Sequence, residues 1–194
     1  MAMIKTVIFD CFGVLTEDGW LAFSNKYRTP ENEEELRYIN HQADKGLVDY
    51  ETFLDRVCEL TGVPKSEAHK TITTVHHPNV ALFEYIQKLK NSGYRLGVIS
   101  NVGDELGNFL PQKYVDLFTD ITLSYQVGAI KPSPEIYEVH LRKSGISADE
   151  AVFIDDREPN VEGAKRVGMH GFVYQNPENI AAELEKLSVI INQA

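Results

Sequence analysis

The chain has 194 residues, 19 Lys and Arg against 29 Asp and Glu for a formal net charge of −10, with 43% hydrophobic and 25% charged residues. That profile is an ordinary globular one and excludes disordered, collagen-like and disulfide-framework classes. No apolar run nears the roughly 20 residues that cross a bilayer, the opening MAMIKTVIFD lacks a signal-peptide layout, and an acidic chain without a basic run or face disfavours duplex DNA and anionic membrane as partners. The two cysteines, Cys11 and Cys58, fit reduced thiols and show no zinc spacing, so the expected compartment is the cytoplasm.

In chain order, TVIFD (6–10) reads as a first buried strand. Some sixty residues then hold no strand pattern. Leu21, Phe23 and Tyr27 mark one helix, Leu36 and Ile39 a second, Tyr50, Phe53, Leu54, Val57 and Leu60 a third, and Ala68, Ile72 and Val75 a fourth after Pro64. This predicts a helical cap over residues 17–78, inserted into a core made of 1–16 and 79–194. A helix follows at Val80, Leu82, Phe83, Ile86 and Leu89, stopped at Asn91-Ser92-Gly93. Short β-branched runs then alternate with helical patterns: RLGVIS (95–100), DITLS (120–124), a helix through Ile136 and Tyr137 to Gly145, AVFIDD (151–156), and HGFVY (170–174). Such alternation implies right-handed crossovers and an α/β three-layer sandwich with a parallel, Rossmann-like sheet. The terminal NQA is expected to fray.

Ligands of open parallel sheets bind beyond the carboxyl ends of the strands. Here those ends carry Asp10, Ser100-Asn101, the loop residue Lys131, and Asp155-Asp156. Taken singly, each reads as a turn residue. Jointly, three carboxylates and one ammonium leave two negative charges, which one divalent cation would neutralise; oxygen donors suit Mg²⁺. A metal, Lys131 and the Ser100 hydroxyl would favour a phosphate, with Asp10 placed to attack phosphorus.

FDxxGVLT (9–16), VISN (98–101), GAIKPSPEIY (128–137) and FIDDREPNVEGAKRVGM (153–169) together resemble the haloacid dehalogenase superfamily, in its phosphatase-like branch with a helical cap after the first motif. The stretch KGLVDYETF (45–53) is similar to one often found in such caps. The resemblance implies Asp10 as nucleophile, Ser100 as donor to the phosphoryl group and Lys131 as the cation that steadies both. It implies a magnesium site at Asp10, Asp155, Asp156 and the Phe12 carbonyl, and a small phosphorylated metabolite as substrate. Asn101 is a further substrate contact; with Asn160 it is also a candidate for positioning loops. Gly13 would permit the tight turn after the nucleophile.

The sequence departs from that pattern at Phe12, where most such phosphatases carry the Asp that serves as general acid and base, a role worth about 10²–10⁴ in rate. Members similar to glucose-1-phosphate phosphatase also lack it. The expectation is therefore a phosphatase favouring leaving groups that depart without a proton, such as sugar 1-phosphates, or one using Glu17, Asp18 or an ordered water instead. Two alternatives are a 2-haloacid dehalogenase, against which the Asp155-Asp156 pair argues, and a nearly inactive binding or regulatory protein. A phosphate-receiver domain is disfavoured because its acidic pair follows the first strand. Cys11 and Cys58 read as packing residues, His76-His77-Pro78 as a hinge, and His41 and Gln42 as possible specificity residues. Trp20 and Phe23 suit either a cleft wall or a packed helix, and Arg157 a brace for the acidic pair. Oligomeric state is not legible.

Overall fold

The computed structural model describes residues 3–74 and 77–191. Five parallel strands form the sheet: β1 (Thr6–Phe9), β2 (Arg95–Ser100), β3 (Asp120–Leu123), β4 (Ala151–Asp155) and β5 (His170–Val173), in the order β3-β2-β1-β4-β5. All five lie at the positions their β-branched runs predict. Period-two alternation divides the central strands between two faces. Val7 and Phe9 of β1, Leu96 and Val98 of β2, and Val152 and Ile154 of β4 pack in one apolar cluster. It includes Leu82, Phe83, Ile86 and Leu89 of α5 (Val80–Asn91) and Ile180 and Leu184 of α10 (Pro177–Lys186). Ile8, Ile99, Ala151 and Phe153 pack on the other face, against Ile136 and Tyr137 of α8 (Pro134–Ser144) and Ala164 of α9 (Glu158–Arg166). Two helical layers thus cover the sheet, the doubly covered arrangement that near-continuous apolar strands require.

Between β1 and α5 stand four helices: α1 (Gly19–Tyr27), α2 (Glu33–Asp44), α3 (Tyr50–Thr61) and α4 (Lys65–Thr74). Each patterned helix of the sequence is present; the predicted apolar position Val75, the first hinge residue His76 and the terminal Asn192-Gln193-Ala194 lie outside the described residues. The ends follow from local chemistry. Asp18 and Asp49 accept the backbone N–H groups of Leu21 and Thr52 as N-caps, and Gly62 takes the left-handed conformation that ends α3. Phe23, Leu36, Ile39, Phe53, Leu54, Val57 and Ile72 bury one another in a cluster separate from the two sheet faces. Two short helices, α6 (Gln112–Val115) and α7 (Ser124–Val127), follow β2 and β3. No described helix is long and apolar enough to cross a membrane.

The strand order changes direction at β1: the chain runs outward through β2 and β3, then returns to place β4 on the other side of β1. The crevice beyond the carboxyl ends of β1 and β4 is therefore the switch point where such sheets bind ligands.

Candidate active site

Register brings the acids together. Phe9 pairs with Ile154, so the next residues, Asp10 and Asp155, leave adjacent strands side by side. Both share the parity of Ile8 and Phe153 and so share a sheet face, where the loop before α8 delivers Lys131. Its ammonium is buried, 2.6 Å from Asp10 Oδ1 and 2.7 Å from Asp155 Oδ2. Its Nζ also sits 5.3 Å from the centroid of the Phe153 ring, a cation–π contact. Asn101 holds this loop in register: it accepts the Lys131 N–H at 2.7 Å and donates to the Lys131 carbonyl at 3.0 Å.

Asp155 is fully buried yet richly satisfied. Besides Lys131 it accepts the Arg157 N–H at 2.8 Å and the Asn160 amide at 3.0 Å to both oxygens. Burial pushes its carboxyl up, but Lys131 and these donors outweigh it and hold the group below its ordinary range. Asp10 answers differently. Burial raises it, and neighbouring Asp155 adds to the rise, beyond what Lys131 and the Cys11 N–H pull back. Burial also works against charge on Lys131, yet the two carboxylates hold its ammonium above the usual value. Asp156, the next residue, is exposed; partial desolvation and Asp155 raise its carboxyl.

Oxygens of Asp10, Asp155 and Asp156 all lie within 4.8 Å of one another. Three hard carboxylate donors around one ammonium, two of them raised toward protonation by mutual repulsion and burial, fit a divalent cation of the magnesium type. Gly13 makes the approach possible. Its φ is +83°, and a Cβ there would lie 2.4 Å from Asp156 Oδ2, so only glycine lets the turn after β1 rest against this carboxylate.

A cleft of about 820 Å³ opens over these groups, walled on one side by the strand-end loops and on the other by the helical insertion. Asp10, Phe12, Asn101, Lys131, Asp156, Arg157 and Asn160 line it from the core. Ser100 does not. It is wholly buried, with the parity of Leu96 and Val98, and its hydroxyl has no hydrogen-bond partner among the described residues. An unsatisfied buried hydroxyl costs roughly 1–3 kcal/mol, and this one is not exposed to the cleft. Phe12 turns its ring edge-on to Phe109, centroids 5.1 Å apart, and occupies a site that a proton-transferring acid could have used.

From the insertion come Glu17, Asp18, Trp20, Tyr50, Phe53 and Asp44. The expected aromatic pair divides: Trp20 lines the cleft, whereas Phe23, stacked on it at 6.0 Å, is buried in the insertion's own core. His41, Gln42 and the exposed His77 are absent from the lining, Cys11 is buried, and Cys58 is half-buried beside the insertion cluster. Asp44 is the acid that the sequence reading missed. Its one signal was position, directly ahead of the cap stretch beginning at Lys45. Burial and the facing Asp18 push its carboxyl up to about 7, against opposing pulls from Asn40 and Lys131.

This arrangement, acids and a lysine gathered at the switch point of a parallel sheet with helices inserted after the first strand, is that of a hydrolase family. The family model described as haloacid dehalogenase-like hydrolase matches residues 7–173, and the chain belongs to that family. It is 25% identical to a D-ribitol-5-phosphate phosphatase of Bacteroides thetaiotaomicron, over 98% of this chain and the whole of that protein. A solved haloacid dehalogenase family enzyme of the same organism, in complex with magnesium, is 26% identical with a TM-score of 0.78, covering 94% of this chain and 99% of that one. The same enzyme has been solved with magnesium and inorganic phosphate, at 25% identity and a TM-score of 0.74, covering 93% of this chain and 98% of that one. A 2-haloacid dehalogenase of Pseudomonas syringae shares the fold at 19% identity and a TM-score of 0.64, over 95% of this chain and 99% of that one.

Proposed function

We propose that the chain is a magnesium-dependent phosphatase of small phosphomonoesters that works through an aspartyl-phosphate at Asp10. The observation that carries this reading is the buried Lys131 ammonium between Asp10 and Asp155, at 2.6 and 2.7 Å, with Asp156 close by in a cleft sized for a metabolite. Both short contacts to Asp10, from Lys131 and from the Cys11 N–H, fall on Oδ1. Oδ2 is then the attacking atom, and Lys131 pulls the nucleophile toward its ionised form while drawing charge from the phosphoryl oxygens. The Ser100 hydroxyl, buried behind the cleft lining, reaches a phosphoryl oxygen only if the end of β2 turns toward the cleft, and Asn101 holds Lys131 in place at the cleft wall. Asp10, Asp156 and the Phe12 carbonyl would hold Mg²⁺; Asp155, also within reach, spends its oxygens chiefly on Lys131 and Asn160. When bound, the ion supplies charge neutralisation to the transferring phosphoryl group.

Residues 17–78 act as a cap that excludes bulk water and selects the leaving group. The core machinery alone serves esters whose oxygen departs without a proton, as the anomeric oxygen of a sugar 1-phosphate does, because Phe12 donates none. A dehalogenase reading is weaker: displacing halide from a carboxylate substrate gains nothing from a divalent cation site. The relatives that support a phosphatase, one acting on D-ribitol 5-phosphate and one solved with magnesium and phosphate, span nearly the whole chain. The compartment proposed is the cytoplasm. The test is a panel of phosphomonoesters and 2-haloacids assayed with Mg²⁺ and with EDTA. Phosphate release that EDTA abolishes is expected; halide release indifferent to EDTA would overturn the reading.

A further inference from the structure

Three acids of the insertion reach the cleft, and they are not equivalent. The Asp18 carboxylate is engaged as the N-cap of α1, accepting the Leu21 N–H at 2.8 Å. Glu17 is exposed on the segment just before it. Asp44 is the last residue of α2, where the insertion is pressed against the core. Gly46 has φ +69°, and a Cβ there would stand 2.2 Å from the Tyr125 carbonyl oxygen of α7. On the other side, a Cβ on Gly103 would meet the Cβ of Ala43 at 3.1 Å. Two close backbone approaches thus fix the chain around Asp44 against the loops after β2 and β3. From there its side chain lines the cleft that also holds Asp10 and Lys131. Asn40, one turn back, donates to Asp44 Oδ2 at 3.0 Å and orients the carboxyl.

We propose that Asp44 is the general acid and base of the reaction, supplying from the cap the proton that Phe12 cannot. The assignment rests on the phosphatase reading and extends it to alkyl esters. As Asp10 attacks phosphorus, the bond from phosphorus to the ester oxygen breaks. Its electron pair stays on that oxygen, which takes the Asp44 proton and leaves as the alcohol. The Asp44 carboxylate then takes a proton from water, whose oxygen attacks the aspartyl-phosphate. Inorganic phosphate departs, Asp10 recovers its electron pair, and Asp44 recovers its proton.

A carboxyl that titrates near neutrality has both forms at hand. Asp18, from the turn before α1, favours the acid form; Lys131, from the loop before α8, favours the base. Glu17 and Tyr50 of the insertion and Arg157, Asp10 and Asp156 of the core are the other titratable groups on the shared cleft. Tyr125 of α7, bonded to Glu105, and Asp104 belong to the core segments against α2, and His41 and Lys45 flank Asp44 on its own segment.

The test compares wild type, Asp44→Asn and Asp44→Glu, with Mg²⁺, on substituted phenyl phosphates and on n-propyl phosphate, none of which offers the sugar hydroxyls that a binding role would need. The expected result for Asp44→Asn is a fall in kcat/KM of about 10²–10⁴-fold on n-propyl phosphate but less than about tenfold on p-nitrophenyl phosphate. The loss should grow steadily with leaving-group basicity, and Asp44→Glu should recover part of it. Wild type should also show a rate limb near pH 7 on n-propyl phosphate that Asp44→Asn lacks. An equal loss across the series, a change in KM alone, or a flat wild-type profile between pH 6 and 8 would overturn the assignment and leave the phosphatase reading standing. A wild type that releases no phosphate from any ester overturns both.

Discussion

The two walls of the cleft are built by different physics. On the core wall, position follows from register: Asp10 and Asp155 leave paired strands at neighbouring points, and hydrogen bonds to Lys131, Arg157 and Asn160 occupy the Asp155 oxygens. Little can move there without stranding a buried charge. On the cap wall, Trp20, Tyr50 and Asp44 ride on helices whose apolar interior, around Phe23, Ile39 and Val57, is their own. That wall packs apart from the sheet and meets the core loops closely at Gly46 and Gly103. Such a division suits a chemistry held constant on one side and a choice of leaving group and proton supply on the other.

Substitutions can break the comparison at its strongest point. Asp10→Asn should abolish phosphate release while thermal unfolding stays cooperative, and turnover near the wild-type rate would remove the nucleophile from the core wall altogether. Lys131→Met comes next. It leaves two buried carboxylates facing each other, and denaturant titration should show a loss of about 3–5 kcal/mol. The sign of its pH dependence is fixed: with Lys131 gone, the folded-state pKa of Asp10 rises further, so the variant should be most stable at low pH and weaken as pH climbs through that value. Phe23→Ala probes the other wall. Burying no part of the strand-end site, it should lower stability by about 3–5 kcal/mol and raise KM for phosphomonoesters more than it lowers kcat. A matching fall in kcat would mean that the walls are not separable.

The smallest expected effect concerns the floor beneath the core wall. His140 on α8 is buried, bonded through Nδ1 to the Thr122 hydroxyl at 3.0 Å, with Nε2 unpartnered among the described residues. Burial holds its pKa down to about 4. The unfolded chain therefore takes up the proton first, so stability present above about pH 6.5 is lost as pH falls toward 4, by about 3 kcal/mol. Urea titrations at pH 7 and pH 4.5 should show this slope in the wild type and its flattening in His140→Gln. An unchanged slope would place the acid sensitivity elsewhere.

Much of the fold was legible because its patterns are local. Runs such as AVFI at 151–154, short and bounded by charged residues, read as strands covered on both faces, and Gly62 and Gly145 end their helices in left-handed conformations that other residues resist. The acids and Lys131 were legible too, since a switch point gathers whatever follows each strand. Ser100 and Asn101 were harder. Adjacent in sequence, they face different ways, and strand parity buries the first while the second takes hold of the Lys131 backbone. Trp20 and Phe23 likewise share a helix but divide between cleft and core.

Composition, periodicity and strand-end chemistry determined by themselves that this chain is a parallel α/β protein with a helical insertion and an acidic, lysine-bearing cluster at Asp10, Lys131, Asp155 and Asp156; the hydrolase reading came from the resemblance of its motifs to a family. These properties follow from near-neighbour rules, which short stretches of sequence carry in full. Only the tertiary structure decided that Lys131 bridges two buried carboxylates, that Gly13 lies against Asp156, and that Asp44, some thirty residues from Asp10, shares its cleft. Such placements depend on how an insertion folds back over strand ends, and two glycines, at positions 46 and 103, set that contact through space where no sequence spacing records it.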